Sequence, residues 1–97
     1  MYISPNQESV IKSYFLNKPV VNAFLFGSYA IGNANTESDV DLLLELDYSY
    51  PIGFELMDYK YELEKLLSCK VDIVTTRSLS QFIRPIVDSQ KKLIYAR

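Results

Sequence analysis

Three aspartates lie in or beside apolar segments of the sequence, where charged side chains are uncommon. Asp39 and Asp41 flank Val40 at the start of one apolar run. Side chains two apart in a strand project from the same face, so both carboxylates should point the same way, with Cα atoms about 6.5–7 Å apart. That spacing suits one divalent cation, or two cations about 3.5–4 Å apart. A strand end carrying two solvated aspartates explains this pair equally well.

The third aspartate, Asp72, lies in a later apolar run. Val71 and Ile73 should face the core there, which places Asp72 on the opposite side of the strand. If this strand neighbours the earlier one, Asp72 comes alongside Asp39 and Asp41, as two-metal nucleotidyl transfer requires. Taken alone, Asp72 is more simply read as a charge at the sheet edge.

A glycine and a serine, Gly27 and Ser28, follow a third apolar run at residues 20–26. Glycine lets the backbone approach a ligand closely, and the amides of a following helix, with the Ser28 hydroxyl, could hold a phosphate. The alternative is an ordinary strand-to-helix turn with Ser28 as the helix cap. Tyr29 follows directly and is a candidate for stacking on a ligand.

Helical and strand patterns alternate along the chain and must position these residues. Ser4, Pro5 and Gln7 form a helix-start signal with a capping box. Strands are predicted at 20–26, 39–46 and 71–75, a short helical segment at 28–32 and a longer helix at 53–67. A last helix should start at Ser78 or Ser80, and Pro85 should either kink it or restart it. An apolar tail at 93–95 should dock either on the body of the domain or on a partner. This order predicts a single α/β or α+β domain over residues 1–97, with helices packed mainly on one face of the sheet.

Composition narrows the chemistry. The single cysteine, Cys69, excludes an internal disulfide and thiolate metal clusters. Because the chain also has no histidine, a bound metal would need oxygen ligands, which favours Mg²⁺ or Mn²⁺. Residues 37–47 carry five acidic and no basic side chains, so this stretch either faces solvent or holds metal. The net charge of −2 argues against nucleic acid as the main ligand. Without a signal peptide pattern or a membrane-length apolar run, a cytoplasmic protein is expected.

The order of these motifs resembles the polymerase-β-like nucleotidyltransferase superfamily. The matching segments are GSYAIG at 27–32, SDVDLLLE at 38–45 and KVDIVT at 70–75. They are most similar to the minimal nucleotidyltransferase (MNT) branch, found as the antitoxin beside HEPN-domain toxins. The resemblance covers essentially the whole chain, including the helix between the last two motifs.

The resemblance implies a small mixed sheet, two Mg²⁺ ions and ATP as substrate. It also implies that AMP is transferred to a tyrosine hydroxyl of a partner HEPN toxin. The two proteins could form an oligomeric complex. Carried over by position, Gly27 and Ser28 would bind the triphosphate, Asp39 and Asp41 the metals, and Asp72 would complete the metal site that activates the acceptor. No nucleic acid or membrane partner is expected.

One position departs from the family pattern: Ile31 stands where arginine is usual. Isoleucine can neither offset phosphate charge nor pair with a carboxylate. Two alternatives therefore stay open. The first is an antitoxin that neutralises its toxin by binding alone. The second, disfavoured because 97 residues leave no room for a substrate domain, is a nucleotidyltransferase acting on a small molecule such as an antibiotic.

Overall fold

The computed structural model describes all of residues Met1–Arg97, and its first helix begins where the sequence predicts. Helix α1 spans Pro5–Phe15. Ser4 Oγ accepts a hydrogen bond from the Gln7 N–H at 3.1 Å, and Gln7 Oε1 accepts from the Ser4 N–H at 2.9 Å. This reciprocal pair satisfies two backbone donors at the helix start, which confirms the predicted capping box.

The four strands form one mixed sheet. Strands β1 (Val20–Phe26), β2 (Val40–Leu46), β3 (Val71–Thr75) and β4 (Lys92–Ala96) lie in the order β3-β2-β1-β4. Strand β1 pairs antiparallel with β2 and β4, whereas β2 and β3 are parallel. The second and third strands are thus neighbours, which is the condition on which the approach of Asp72 to Asp41 depended, and the apolar first strand lies inside the sheet.

The main core lies between one face of the sheet and helices α1 and α3 (Glu55–Leu67). Val40, Leu42 and Leu44 of β2 are fully buried there, as their alternation predicts. Leu43 points to the other face and packs in a smaller cluster with Leu79 and Val87. The expectation that helices cover mainly one face is thus confirmed. The longest helix has thirteen residues, and no helix is long and apolar enough to span a membrane.

Helix α4 (Arg84–Gln90) begins later than the sequence suggested. The prediction of a start at Ser78 or Ser80 is wrong, because residues 78–83 form bends and turns and the first helical residue is Arg84. Pro85 lies in the first turn of α4, where its missing N–H costs no hydrogen bond. Helix α3 likewise begins at Glu55 rather than at Gly53.

The apolar tail expected at residues 93–95 is an edge strand of the sheet, β4. Ala23 of β1 pairs with Tyr95, and Ile94 and Tyr95 are buried in the main core. Of the two alternatives for the tail, docking on the body is confirmed. The strand itself was not predicted, because its pairing is supplied by β1, some 70 residues earlier in the chain.

Candidate active site

The Gly27 turn lies at the end of β1 and directly against Asp41. Gly27 has φ 74° and ψ −156°, a backbone conformation open essentially to glycine alone. A Cβ atom built at this position would overlap the Asp41 carboxylate. The glycine is therefore required both by its dihedral angles and by the close approach of the carboxylate.

The short helix α2 (Ser28–Ile31) follows this turn. Gly27 is its N-cap and Ser28 its first residue, so the alternative in which Ser28 is the helix cap is wrong. The Gly27 carbonyl accepts from the Ala30 N–H at 3.0 Å, which closes the single turn. Gly32, with φ 90°, ends it. The predicted short helical segment after Gly27 is confirmed.

Tyr29 does not lie in the site. Its side chain is only 4% exposed and belongs to the main core cluster. Its proposed role in stacking on a ligand is therefore wrong, because one helical turn places the residue after Ser28 on the buried side of α2. Ile31, by contrast, is 45% exposed and brings no charge to the surface beside the turn.

Asp41 and Asp72 are directly opposite each other on adjacent parallel strands. Neighbouring strands lie about 4.8 Å apart, and residues in register project from the same face. Asp41 is half-buried, whereas Asp72 is exposed. The structure thus places these two carboxylates side by side, next to the Gly27 turn, as the strand periodicity predicts.

Asp39 lies just outside the sheet. Strand β2 begins at Val40, whose N–H donates to the Lys70 carbonyl at 2.9 Å, so the prediction of a strand from Asp39 is wrong by one residue. Asp39 is exposed and has no strand partner to fix its side chain. It is nevertheless close enough to Asp41 to raise the pKa of that carboxyl.

The pKa of Asp41 is raised from its ordinary value of 3.8 to about 6. Burial is the largest cause, followed by repulsion from the charges of Asp72 and then Asp39. A cation bound beside Asp41 would relieve this repulsion.

The donor set fits a hard divalent cation, because all three candidate ligands are carboxylates. The side chains do not form a ready-made cage: no group of three or more acidic, histidine or cysteine side chains surrounds a common point. Metal ligation by Asp39, Asp41 and Asp72 stays a prediction.

Helix α3 fixes the residue that precedes Asp72. The Val71 N–H donates to Glu64 Oε2 at 3.0 Å, and Lys60 Nζ donates to the Val71 carbonyl at 2.6 Å. Both bonds are made at the open edge of β3, where no strand is available to pair. Lys60 and Glu64 also form an ion pair at 3.3 Å. These contacts hold the start of β3, and hence Asp72, in register with β2.

Gln90, the last residue of α4, is a site residue that sequence reasoning missed. Its Oε1 accepts a hydrogen bond from the Gly27 N–H at 3.3 Å. The two residues are 63 positions apart, and a glutamine at a helix end is an unremarkable local pattern. No signal in the single sequence could have identified this contact.

A cavity of about 480 Å³ lies beside the loop that leads into Asp39. It is lined by Thr36, Glu37, Ser38, Cys69 and Lys70. A slightly larger cavity, about 510 Å³, lies at the opposite end of β1 and has no acidic side chain in its lining. The first cavity includes Ser38 and Lys70, the immediate neighbours of Asp39 and Val71, but it is not lined by any of the candidate site residues Gly27, Ser28, Asp39, Asp41 and Asp72.

The fold and this arrangement define a nucleotidyltransferase domain. The family described as "Nucleotidyltransferase domain" matches residues 8–95, so the chain belongs to that family. A Methanocaldococcus jannaschii protein, provisionally named protein adenylyltransferase MJ1379, is 45% identical over 56 residues. That match spans 57% of this chain and 56% of the relative, a little over half of each.

Solved structures show the same fold. A minimal nucleotidyltransferase superposes with a TM-score of 0.76 at 30% identity, covering 90% of this chain and 88% of that one. A chain from a toxin–antitoxin crystal structure with AMP-PNP gives a TM-score of 0.76 at 21% identity, covering 97% and 75%. A chain from the complex of tri-AMPylated Shewanella oneidensis HEPN toxin with MNT antitoxin gives a TM-score of 0.66 at 23% identity, covering 95% of this chain and 71% of that one. The predicted nucleotidyltransferase fold is confirmed.

Proposed function

We propose that this protein transfers AMP from ATP to a tyrosine hydroxyl of a partner HEPN toxin and thereby acts as its antitoxin. The observation that carries the proposal is the in-register pair Asp41 and Asp72 beside the Gly27 turn. It is supported by the relative named as a protein adenylyltransferase and by the neighbouring complex in which a HEPN toxin carries AMP.

In this proposal Gly27 and Ser28 receive the triphosphate, and Asp39, Asp41 and Asp72 hold two Mg²⁺ ions. Bound Mg²⁺ would neutralise phosphate charge and lower the pKa of the acceptor hydroxyl. The acceptor oxygen forms a bond to the α-phosphorus while the bond from that phosphorus to the bridging oxygen breaks, and pyrophosphate leaves. Asp72 is the more exposed of the paired carboxylates, and it accepts the proton of the hydroxyl.

The domain carries little surface for choosing an acceptor. The chain folds as one sheet with its helices, and none of the five candidate site residues lines a cavity. A macromolecular acceptor that brings its own recognition surface suits such a site better than a small molecule, which normally lies in a deep pocket. This favours a protein acceptor over an antibiotic.

The test is transfer of radiolabelled AMP from ATP to the proposed HEPN partner protein. We expect labelling by the wild type and none by a variant carrying both Asp39→Ala and Asp41→Ala. Circular dichroism would establish that the variant is folded. Equal labelling by the two proteins would sink the proposal, and labelling of an aminoglycoside but not of the HEPN protein would favour the small-molecule alternative.

A second candidate function is neutralisation of the toxin by binding alone. The exposed, uncharged Ile31 beside the turn favours it, because no cation is supplied there to offset phosphate charge. The same double variant decides between the two. Protection of cells from the toxin by a variant that transfers no AMP would establish the binding function.

A further inference from the structure

The side chain of Gln90 connects helix α4 to the Gly27 turn. The β1–β2 ladder ends with the pair Phe26 and Asp41, so Gly27 is the first residue beyond it. The N–H of Gly27 is bonded instead by Gln90 Oε1 at 3.3 Å, in partly buried surroundings. A backbone donor in such a position needs a partner, and a side chain from the other end of the chain supplies it.

Helix α4 is anchored so that Gln90 is held in place. Val87, one turn earlier, is 4% exposed and packs with Leu43 and Leu79. Lys91, which follows Gln90, lies with its Nζ 4.8 Å from the centre of the Phe24 ring. The Lys91 N–H donates to the Val87 carbonyl at 2.8 Å and closes the helix end. These contacts on both sides of Gln90 hold its side chain close to the Gly27 turn.

A glutamine also suits the position beside the Gly27 turn better than a charged side chain would. Gln90 Oε1 lies within about 8 Å of Asp41 Oδ2, because the atoms of Gly27 alone separate them. A glutamate could accept the same hydrogen bond, but it would add a fourth negative charge near Asp39, Asp41 and Asp72. The neutral amide provides the acceptor without that charge.

We propose that Gln90 is a positioning residue for the nucleotide. Through the Gly27 N–H it fixes the orientation of the turn that receives the triphosphate beside Asp41. The inference rests on the proposed nucleotide site, but it concerns a residue outside the motifs that define that site. Gln90 contacts the turn rather than the reacting atoms.

The hydrogen bond itself is tested by nuclear magnetic resonance. The chain has only three glycines, so selective ¹⁵N-glycine labelling gives three assignable amide signals. In Gln90→Met, which keeps the length of the side chain but lacks the oxygen, the Gly27 signal should move and its amide exchange faster with solvent. The Gly32 signal should stay in place, because its N–H donates to the Ser28 carbonyl. An unchanged Gly27 signal would overturn the proposal.

The consequence for the nucleotide is tested by kinetics. Gln90→Met should raise KM for ATP about three- to tenfold, the effect of one lost hydrogen bond, with kcat little changed. The control is Ser89→Ala, which alters the same helix end through a bond to Ile86 and should leave KM unchanged. A merely structural role would lower the active fraction and thus kcat, with KM unchanged, and that result would refute the inference.

Direct titration of ATP separates this inference from the proposed function. A wild type that binds ATP but transfers no AMP would overturn the proposed transfer, and the ratio of Kd values for wild type and Gln90→Met would still decide the role of Gln90. A wild type that binds no ATP in the presence of Mg²⁺ would overturn both.

Discussion

Replacing Asp41 with asparagine should stabilise the fold while abolishing transfer. The pKa of Asp41 is raised from 3.8 to about 6 because its carboxyl is half-buried and faces Asp72 and Asp39. The ionised carboxylate therefore favours the unfolded state at neutral pH. Asparagine has nearly the same shape without the charge, so it removes this cost while keeping a polar group in contact with Gly27.

The magnitude follows from the pKa difference. Two units correspond to a ceiling of about 3 kcal/mol, since each unit is worth about 1.4 kcal/mol. Solvent screens a half-buried group, so we expect about 1–2 kcal/mol at pH 7 without metal. Between about pH 4 and 6 the folded wild type binds more protons than the unfolded chain, so its free energy of unfolding falls as pH rises. Below pH 4 both states are protonated, and the difference between variant and wild type should vanish.

The assay is urea unfolding of both proteins in EDTA at pH 7 and again at pH 4. At pH 7 the midpoint of Asp41→Asn should lie about 1 M higher in urea than that of the wild type. Asp39→Asn is the matched control, because Asp39 is exposed and its replacement should change stability by less than about 0.5 kcal/mol. A variant no more stable than the wild type at pH 7, or one with an equal advantage at pH 4, would refute this reasoning.

Three further predictions concern the turn and the carboxylates. Gly27→Ala should lower the free energy of unfolding by about 1–3 kcal/mol and eliminate transfer, because the added Cβ meets the Asp41 carboxylate. Thermal unfolding and AMP-transfer assays measure both effects. The control is Gly53→Ala, whose Cβ has no neighbour closer than 3.7 Å. Ile31→Arg should lower KM for ATP about two- to fivefold relative to Ile31→Gln, since it adds a cation at an exposed position beside the turn, and equal KM values would contradict this. Lowering the pH below about 6 should weaken Mg²⁺ binding about tenfold per pH unit, because Asp41 must lose its proton to bind metal. Titration of Mg²⁺ at a series of pH values from 5 to 8 should show this slope. A Mg²⁺ affinity that does not change with pH would argue against Asp41 as a ligand.

Sequence patterns predicted the parts of the fold that depend on local physics. The capping box of Ser4 and Gln7 needs only four consecutive residues, and the alternation of Val40, Leu42 and Leu44 follows from the strand period. The convergence of Asp41 and Asp72 was predictable as well, because a helix between two short strands favours parallel neighbours.

Long-range contacts decided what the sequence could not predict. Strand β4 follows α4 without a glycine or proline signal and becomes a strand because β1 offers it a partner. The contact between Gln90 and Gly27 depends on how α4 docks against Leu43 and Leu79. Asp39 lies one residue before β2 because the ladder with β3 begins at Val40, and no local pattern encodes where that pairing starts.

In the proposed mechanism, Asp41 and Asp72 act together in nucleotidyl transfer. The most direct test is a single-turnover measurement of AMP transfer to the HEPN protein by Asp72→Asn, with ATP binding measured in the same preparation. We expect the variant to bind ATP and to transfer AMP at less than about 1% of the wild-type rate, the loss expected when a general base is removed. Transfer at the wild-type rate by a folded, ATP-binding Asp72→Asn protein would contradict it.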